Sequence, residues 1–232
     1  MKPKQTLLIT GATGQIGRHI VTQLAKPGMR IILHTHQNHE EAKRLQKKFK
    51  STEIIIISED LSSFAGISSF IEQILPYRPF DFFLHNAALF TQDPFEKLIT
   101  LHVTSALKIS RKIAPHMRNG SHIVFMNDIG TRIPFKKHLD YCLSKGAILS
   151  LTRSLAVEMA PKTLVNCLTL GPIMATKSES KKIQKIIQNR TLLKHWGGAE
   201  EVFQAIQFLR SSKFITGTEI IIDGGYQLVP GL

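Results

Sequence analysis

Tyr141 and Lys145 stand four residues apart, and Asp128 lies thirteen residues before the tyrosine. On a helix, the tyrosine and the lysine project from one face, one turn apart. A phenol titrates with a pKa of about 10 on its own. An ammonium beside it favours the phenolate and draws that value toward neutral pH, which makes the pair a better acid–base group than a phenol alone. Tyr-x-x-x-Lys is an ordinary spacing on helices, so its meaning depends on the elements around it.

Short β-rich runs alternate with longer helical patterns. The strands are expected at Thr6–Thr10, Arg30–Thr35, Glu53–Ser58, Asp81–Asn86, His122–Asn127, Leu164–Leu170 and Thr218–Asp223. Runs such as Ile54-Ile55-Ile56-Ile57 are apolar throughout, as strands covered by helices on both faces should be. Helices are expected near Gln15–Ala25, Glu40–Lys50, Phe64–Leu75, Phe95–Arg118, Tyr141–Met159 and Glu200–Leu209. This βαβ rhythm predicts one domain: a Rossmann-type, doubly wound parallel sheet of about seven strands flanked by helices. Asp128 then follows a strand and Tyr141 opens a helix. The segment at about 173–198 is the least regular large piece and reads as a lid over the carboxyl ends of the strands.

Thr10-Gly11-Ala12-Thr13-Gly14-Gln15-Ile16-Gly17 joins the first strand to the first helix. Glycines there allow a tight turn and close backbone approach to a pyrophosphate, and the helix N-terminus supplies amides and a positive dipole end. An NAD site would carry an acid about 20 residues later, on the ribose hydroxyls. Here the second strand ends in His34-Thr35-His36-Gln37-Asn38, with no acid before Glu40. Hydroxyl, imidazole and amide groups suit a 2′-phosphate that an acid would repel, so the expected cofactor is NADP(H).

The bulk properties narrow the classes. The 232 residues are 43% hydrophobic with mean hydropathy near zero, enough for a buried core and wrong for a disordered chain. No apolar run reaches the roughly 20 residues of a bilayer span, and Met1 to Gln5 leads into Leu7-Leu8-Ile9 without a signal-peptide pattern. The two cysteines, Cys142 and Cys167, have neither disulfide-framework nor zinc spacing. A soluble, cytoplasmic protein without a metal requirement is expected. The net charge of +13 is dispersed. Its densest runs, Lys43-Arg44 with Lys47-Lys48-Lys50, and Lys177 with Lys181-Lys182-Lys185, read as solvated helix faces, and no nucleic-acid motif accompanies them.

Taken in order, the motifs Thr10–Gly17, Asp60-Leu61, Asn86-Ala87-Ala88, Tyr141-x-x-x-Lys145, Val165-Asn166, Gly171-Pro172-Ile173, Ile215-Thr216-Gly217 and Asp223-Gly224-Gly225 resemble the short-chain dehydrogenase/reductases over essentially the whole chain. The resemblance implies a dinucleotide held by Gly11, Gln15, Ile16, Gly17, the His34–Asn38 segment, Asp60, Leu61, Asn86, Ala87, Gly171 and Ile173. It implies Tyr141 as proton donor, Lys145 on the nicotinamide ribose, and a homotetramer or homodimer.

Most members of that family carry a serine where this chain has Asp128. An ionised carboxylate only accepts hydrogen bonds, so it repels a ketone oxygen and suits a substrate that presents N–H donors. In this the chain resembles the pteridine reductases and dihydromonapterin reductases, as it does at Leu84-His85-Asn86-Ala87 and Leu101-His102-Val103. That branch implies a reduced pterin or folate as substrate, bound by Phe90, Asp128, Tyr141, Pro172 and Met174. Gln15 and Ala88 depart from the pteridine reductases, which have a basic residue and a serine there. A ketone reductase acting on a 3-oxoacyl thioester and a non-catalytic NADP-binding regulator are the rival readings.

Overall fold

The computed structural model describes residues 5–91, 93–175 and 180–229. Seven strands, β1 (Gln5–Thr10), β2 (Met29–Thr35), β3 (Glu53–Ser58), β4 (Phe80–His85), β5 (Met117–Asp128), β6 (Thr163–Leu170) and β7 (Glu219–Ile222), form one parallel sheet. Their order is β3-β2-β1-β4-β5-β6-β7, so the winding reverses between β1 and β4. A crevice opens at the carboxyl ends of strands at such a switch point.

Helices cover both faces: α1 (Gln15–Leu24), α2 (His39–Lys48), α3 (Phe64–Ile74), α4 (Phe95–Ile99), α5 (Ser105–Ile113), α6 (Leu139–Met159), α7 (Lys181–Arg190) and α8 (Ala199–Ser211). Strand residues alternate between the two layers, as a side-chain period of two requires. Leu7, Ile9, Phe82 and Leu84 pack with Ile20, Val21, Leu45 and Val202, whereas Leu8 and Phe83 pack with Ile67, Phe70, Ile109 and Ile148. Each fully buried side chain of this kind contributes about 1.5–3 kcal/mol.

Because both faces are apolar, hydrophobicity alone does not choose the register. Polar groups at the strand ends do. Thr6 N donates to Asp81 Oδ2 at 2.7 Å, and Asn127 Nδ2 donates to Thr169 Oγ1 at 3.1 Å. Asn166 donates to Ile215 O at 2.8 Å and accepts from Thr218 N at 3.1 Å.

Two expectations need correction. The helix expected over Phe95–Arg118 is broken. After α4 comes one π-helical turn, Thr100–Thr104, then α5, then a 3-10 turn at Ala114–His116; Met117 and Arg118 already belong to β5. Pro115 has no N–H to continue the helix. The lid region is also more regular than expected, because Ser180 accepts from Ile183 N at 3.3 Å and starts α7. Gly197 N donates to Pro172 O at 3.0 Å and Gly198 N to Ile173 O at 2.8 Å, which ties the two ends of this segment together. Lys177 lies outside the described residues. Lys43, Arg44, Lys47, Lys48, Lys181, Lys182 and Lys185 are exposed on their helices.

Candidate active site

A cleft of about 980 Å³ opens at the switch point. The glycine loop forms one wall. Gly11 has φ +61°, and a Cβ there would stand 2.8 Å from Ala87 Cα. A Cβ on Gly17 would stand 2.4 Å from Gly11 O, so α1 sits directly on the loop. Thr10 Oγ1 accepts from the amides of Asn86 and Ala87 at 3.0 and 3.1 Å, and Asn86 Nδ2 donates to Gly11 O at 2.9 Å. These bonds lock the end of β1 to the loop after β4.

Gly14 precedes α1, no side chain caps the first turn, and no acid stands in it. Its first amides and dipole end therefore face the cleft without an internal anion. A dinucleotide phosphate fits this cradle: only a backbone oxygen at 3.4 Å approaches the Cβ position of Gly14, where side-chain space is open.

The end of β2 holds a third correction. His34 is buried, its Nδ1 accepts from Gly11 N at 3.2 Å, and its Nε2 donates to Glu59 O at 3.0 Å. Burial depresses its pKa to about 4. A neutral imidazole with both nitrogens engaged is a strut beneath the glycine loop and has no donor left for a phosphate. The remaining groups of that segment are Thr35, whose hydroxyl meets that of Thr13 at 2.9 Å, exposed His36 and Gln37, and Asn38, whose Oδ1 caps α2 through Glu41 N at 3.3 Å. Across the cleft, Asp60 Oδ1 accepts from Ser62 N and Oγ at 2.9 and 2.6 Å, and these bonds hold its carboxyl below the usual range against the opposing effect of burial.

The end of β5 and the start of α6 bring the expected acid–base set together. Asp128 Oδ1 accepts from Gly130 N at 2.7 Å, and Oδ2 accepts from the Tyr141 hydroxyl at 2.9 Å. Burial raises the Asp128 pKa, offset by the Gly130 amide, Lys145 and Tyr141. Burial, then the Asp128 charge and hydrogen bond, push the Tyr141 phenol well above its ordinary value. The lowering of that phenol expected from Lys145 is not found: the shift is upward. Lys145 is buried below the cleft floor, its Nζ donates to Met126 O at 3.0 Å, and burial brings its pKa down to about 8.

The residues expected to touch cofactor or substrate, Lys145 apart, line the cleft: Gly11, Gln15, Ile16, Gly17, His34–Asn38, Asp60, Leu61, Asn86, Ala87, Phe90, Asp128, Tyr141 and Gly171–Met174. Phe90 is half-exposed, stacks on His138 at 4.6 Å and meets Tyr141 edge-on at 4.9 Å. Sequence reasoning missed Phe135, Lys97, Ile187 and Tyr226, which also line it. Phe135 falls in the irregular stretch between Asp128 and Tyr141, where no periodicity marks it. Tyr226 follows Gly224 and Gly225, whose φ values of +59° and +76° turn the chain back.

A family model described as "Enoyl-(Acyl carrier protein) reductase" matches residues 11–227. The chain is 26% identical to "Tropinone reductase-like 3" of Erythroxylum coca, over 94% of this chain and 91% of that one. It is 25% identical to the "Dihydromonapterin reductase" of Citrobacter koseri, over 96% of each. Among solved structures, the FolM "Alternative dihydrofolate reductase 1" of Brucella canis, complexed with NADP, superposes with a TM-score of 0.90 at 20% identity, covering 100% of this chain and 97% of its own. The short-chain dehydrogenase/reductase of Serratia marcescens gives 0.88 at 21% identity, over 97% and 99%. These last two likenesses concern the fold. With the family model spanning nearly the whole chain, and the glycine loop, Tyr141 and Lys145 in their places, this protein belongs to the short-chain dehydrogenase/reductase family.

Proposed function

We propose that the protein is an NADPH-dependent reductase of a pterin C=N bond, acting on a dihydropterin or dihydrofolate. The observation that carries this reading is the Tyr141–Asp128 hydrogen bond of 2.9 Å, where most of the family has a serine. The 25% identity to a dihydromonapterin reductase over 96% of both chains supports it.

NADP(H) supplies the hydride when bound. The glycine loop and the first turn of α1 would hold its pyrophosphate, Thr35 to Asn38 its 2′-phosphate, and Asn86, Ala87, Gly171 and Ile173 its nicotinamide half. Asp128 accepts hydrogen bonds from the N–H groups of a pterin and orients the ring. Tyr141 gives its proton to the substrate nitrogen, and its high pKa keeps that proton in place until a base of comparable strength arrives. Lys145 keeps a positive charge beneath Asp128, which offsets the cost of a buried carboxylate. Phe90 offers a face for stacking the pterin, and Pro172 and Met174 border it. Fixing donor and acceptor in contact accounts for much of the acceleration.

A second reading has one observation in its favour. Burial raises Asp128, and a protonated carboxyl donates a hydrogen bond, as a ketone oxygen needs. The deciding experiment follows NADPH oxidation with dihydromonapterin, dihydrobiopterin, dihydrofolate and an acetoacetyl thioester in parallel. Turnover of a dihydropterin or dihydrofolate without the thioester supports the pterin reading. Turnover of the thioester alone replaces it with the ketone reading.

A further inference from the structure

His102 sits at full burial in the π-helical turn between α4 and α5, outside the set assigned above. Its hydrogen bonds determine one protonation state. Ser144 Oγ donates to Tyr141 O at 2.7 Å. The serine oxygen therefore accepts from His102 Nδ1, 2.8 Å away. The opposite nitrogen, Nε2, accepts from Leu89 N at 3.2 Å. Only a neutral ring with its proton on Nδ1 satisfies both contacts. An imidazolium would turn a donor toward the Leu89 amide.

These two contacts reach two separate elements. Leu89 immediately precedes Phe90 in the loop after β4. Ser144 lies on α6 between Tyr141 and Lys145, and the His102 ring meets the Tyr141 ring edge-on at 5.8 Å. We propose that His102 is a positioning residue that joins the loop carrying Phe90 to the helical turn carrying Tyr141, through Leu89 on one side and Ser144 on the other.

The surroundings hold the ring in that state. Lys145 and His85 are the charged or titratable groups acting on it, and with burial, the largest effect, they disfavour a second proton. A second buried pair links the end of β4 to the start of α5: His85 Nε2 donates to Ser105 Oγ at 2.7 Å, and Ser105 donates to Leu101 O.

The test divides the two contacts. Asparagine places an amide nitrogen near the Nδ1 position and reaches Ser144, whereas glutamine places an amide oxygen near the Nε2 position and reaches Leu89. His102→Leu loses both and should lower kcat/KM by roughly 100-fold, the scale of a misplaced reacting group. His102→Asn should recover kcat and leave KM high, because Tyr141 is held and the Phe90 loop is not. His102→Gln should recover KM and leave kcat low. Full activity in His102→Leu, or three variants that lose kcat and KM together in step with thermal stability, would overturn the proposal.

The kinetic arm rests on the reductase reading. A second arm does not: nitrogen-15 NMR of the histidine rings in the full chain should show His102 protonated on Nδ1 alone between about pH 5 and 8. A proton on Nε2, or on both nitrogens, would overturn the coupling whatever substrate the enzyme takes. A wild-type protein that reduces none of the substrates, with the Nδ1 proton in place, would sink the reductase reading and leave the His102 assignment standing.

Discussion

The Tyr141 hydroxyl donates to Asp128 Oδ2 across 2.9 Å, from the start of α6 to the end of β5. The proposed proton donor therefore rests on a carboxylate that shares its buried environment. That carboxylate raises the phenol further above its ordinary pKa, in addition to burial. Under the proposed function, the substrate displaces the phenol by offering its own N–H groups to Asp128 and a basic nitrogen to Tyr141.

Replacing Asp128 by asparagine keeps the size of the side chain and removes its charge. Dihydropterin turnover should fall by roughly 100-fold or more, within the span of acid–base contributions. The Tyr141 phenol should titrate at lower pH than in the wild type, because the Asp128 charge is gone while burial remains. Steady-state kinetics and ultraviolet titration of the tyrosinate read the two effects. Unchanged turnover would remove the main support for a pterin substrate.

Tyr141→Phe should reduce kcat by roughly 100- to 10,000-fold while NADPH still binds, as followed by nicotinamide fluorescence. The ring contacts with Phe90 and His102 do not require the hydroxyl, so the fold should hold, at the cost of about 1–3 kcal/mol for the Asp128 Oδ2 left without its donor. Retained turnover would show that another group delivers the proton.

Gly17 and Gly14 should respond differently to alanine. At Gly17 the new Cβ meets the backbone oxygen of Gly11 at 2.4 Å and Ala12 Cα at 2.8 Å. Relief requires a backbone shift costing about 1–3 kcal/mol, and NADPH affinity should fall with it. At Gly14 the nearest atom is Gly11 O at 3.4 Å, so Gly14→Ala should fold normally and weaken cofactor binding only by intruding on the cradle. Urea denaturation beside NADPH titration separates the two, and equal destabilisation by both variants would contradict this packing.

Four buried histidines make the fold sensitive to acid. Burial lowers His34 and His122 to about 4, His85 to about 3 and His102 to about 2, from an ordinary 6.5. Below pH 6.5 the unfolded chain binds protons that the folded chain refuses. Their contribution is fully present above 6.5 and is lost as pH falls through the folded values, at up to about 1.4 kcal/mol per pH unit for each group. Denaturant midpoints measured from pH 7 to 4.5 should drop steadily. His34→Asn should flatten part of that slope, and its overall stability should fall because Gly11 N or Glu59 O loses a partner, at about 1–3 kcal/mol for each stranded group.

The sequence by itself determined the sheet, most of its helices and much of the cleft lining, because strand and helix periods and the glycine loop are local signals. Glu53–Ser58 is a strand as expected, and α6 carries Tyr141 and Lys145 on one side. It also identified His34 as a strand-end residue near the cofactor segment. Only the tertiary structure decided what that residue does: the approach of Gly11 N and Glu59 O, 23 and 25 residues away in sequence, engages both ring nitrogens. The same holds for His102, whose partners Leu89 and Ser144 lie 13 and 42 residues away. A local pattern gives a side chain's face and element. Its protonation state and partners depend on burial and on groups brought from distant parts of the chain, and those exist only once the sheet and its helices have packed.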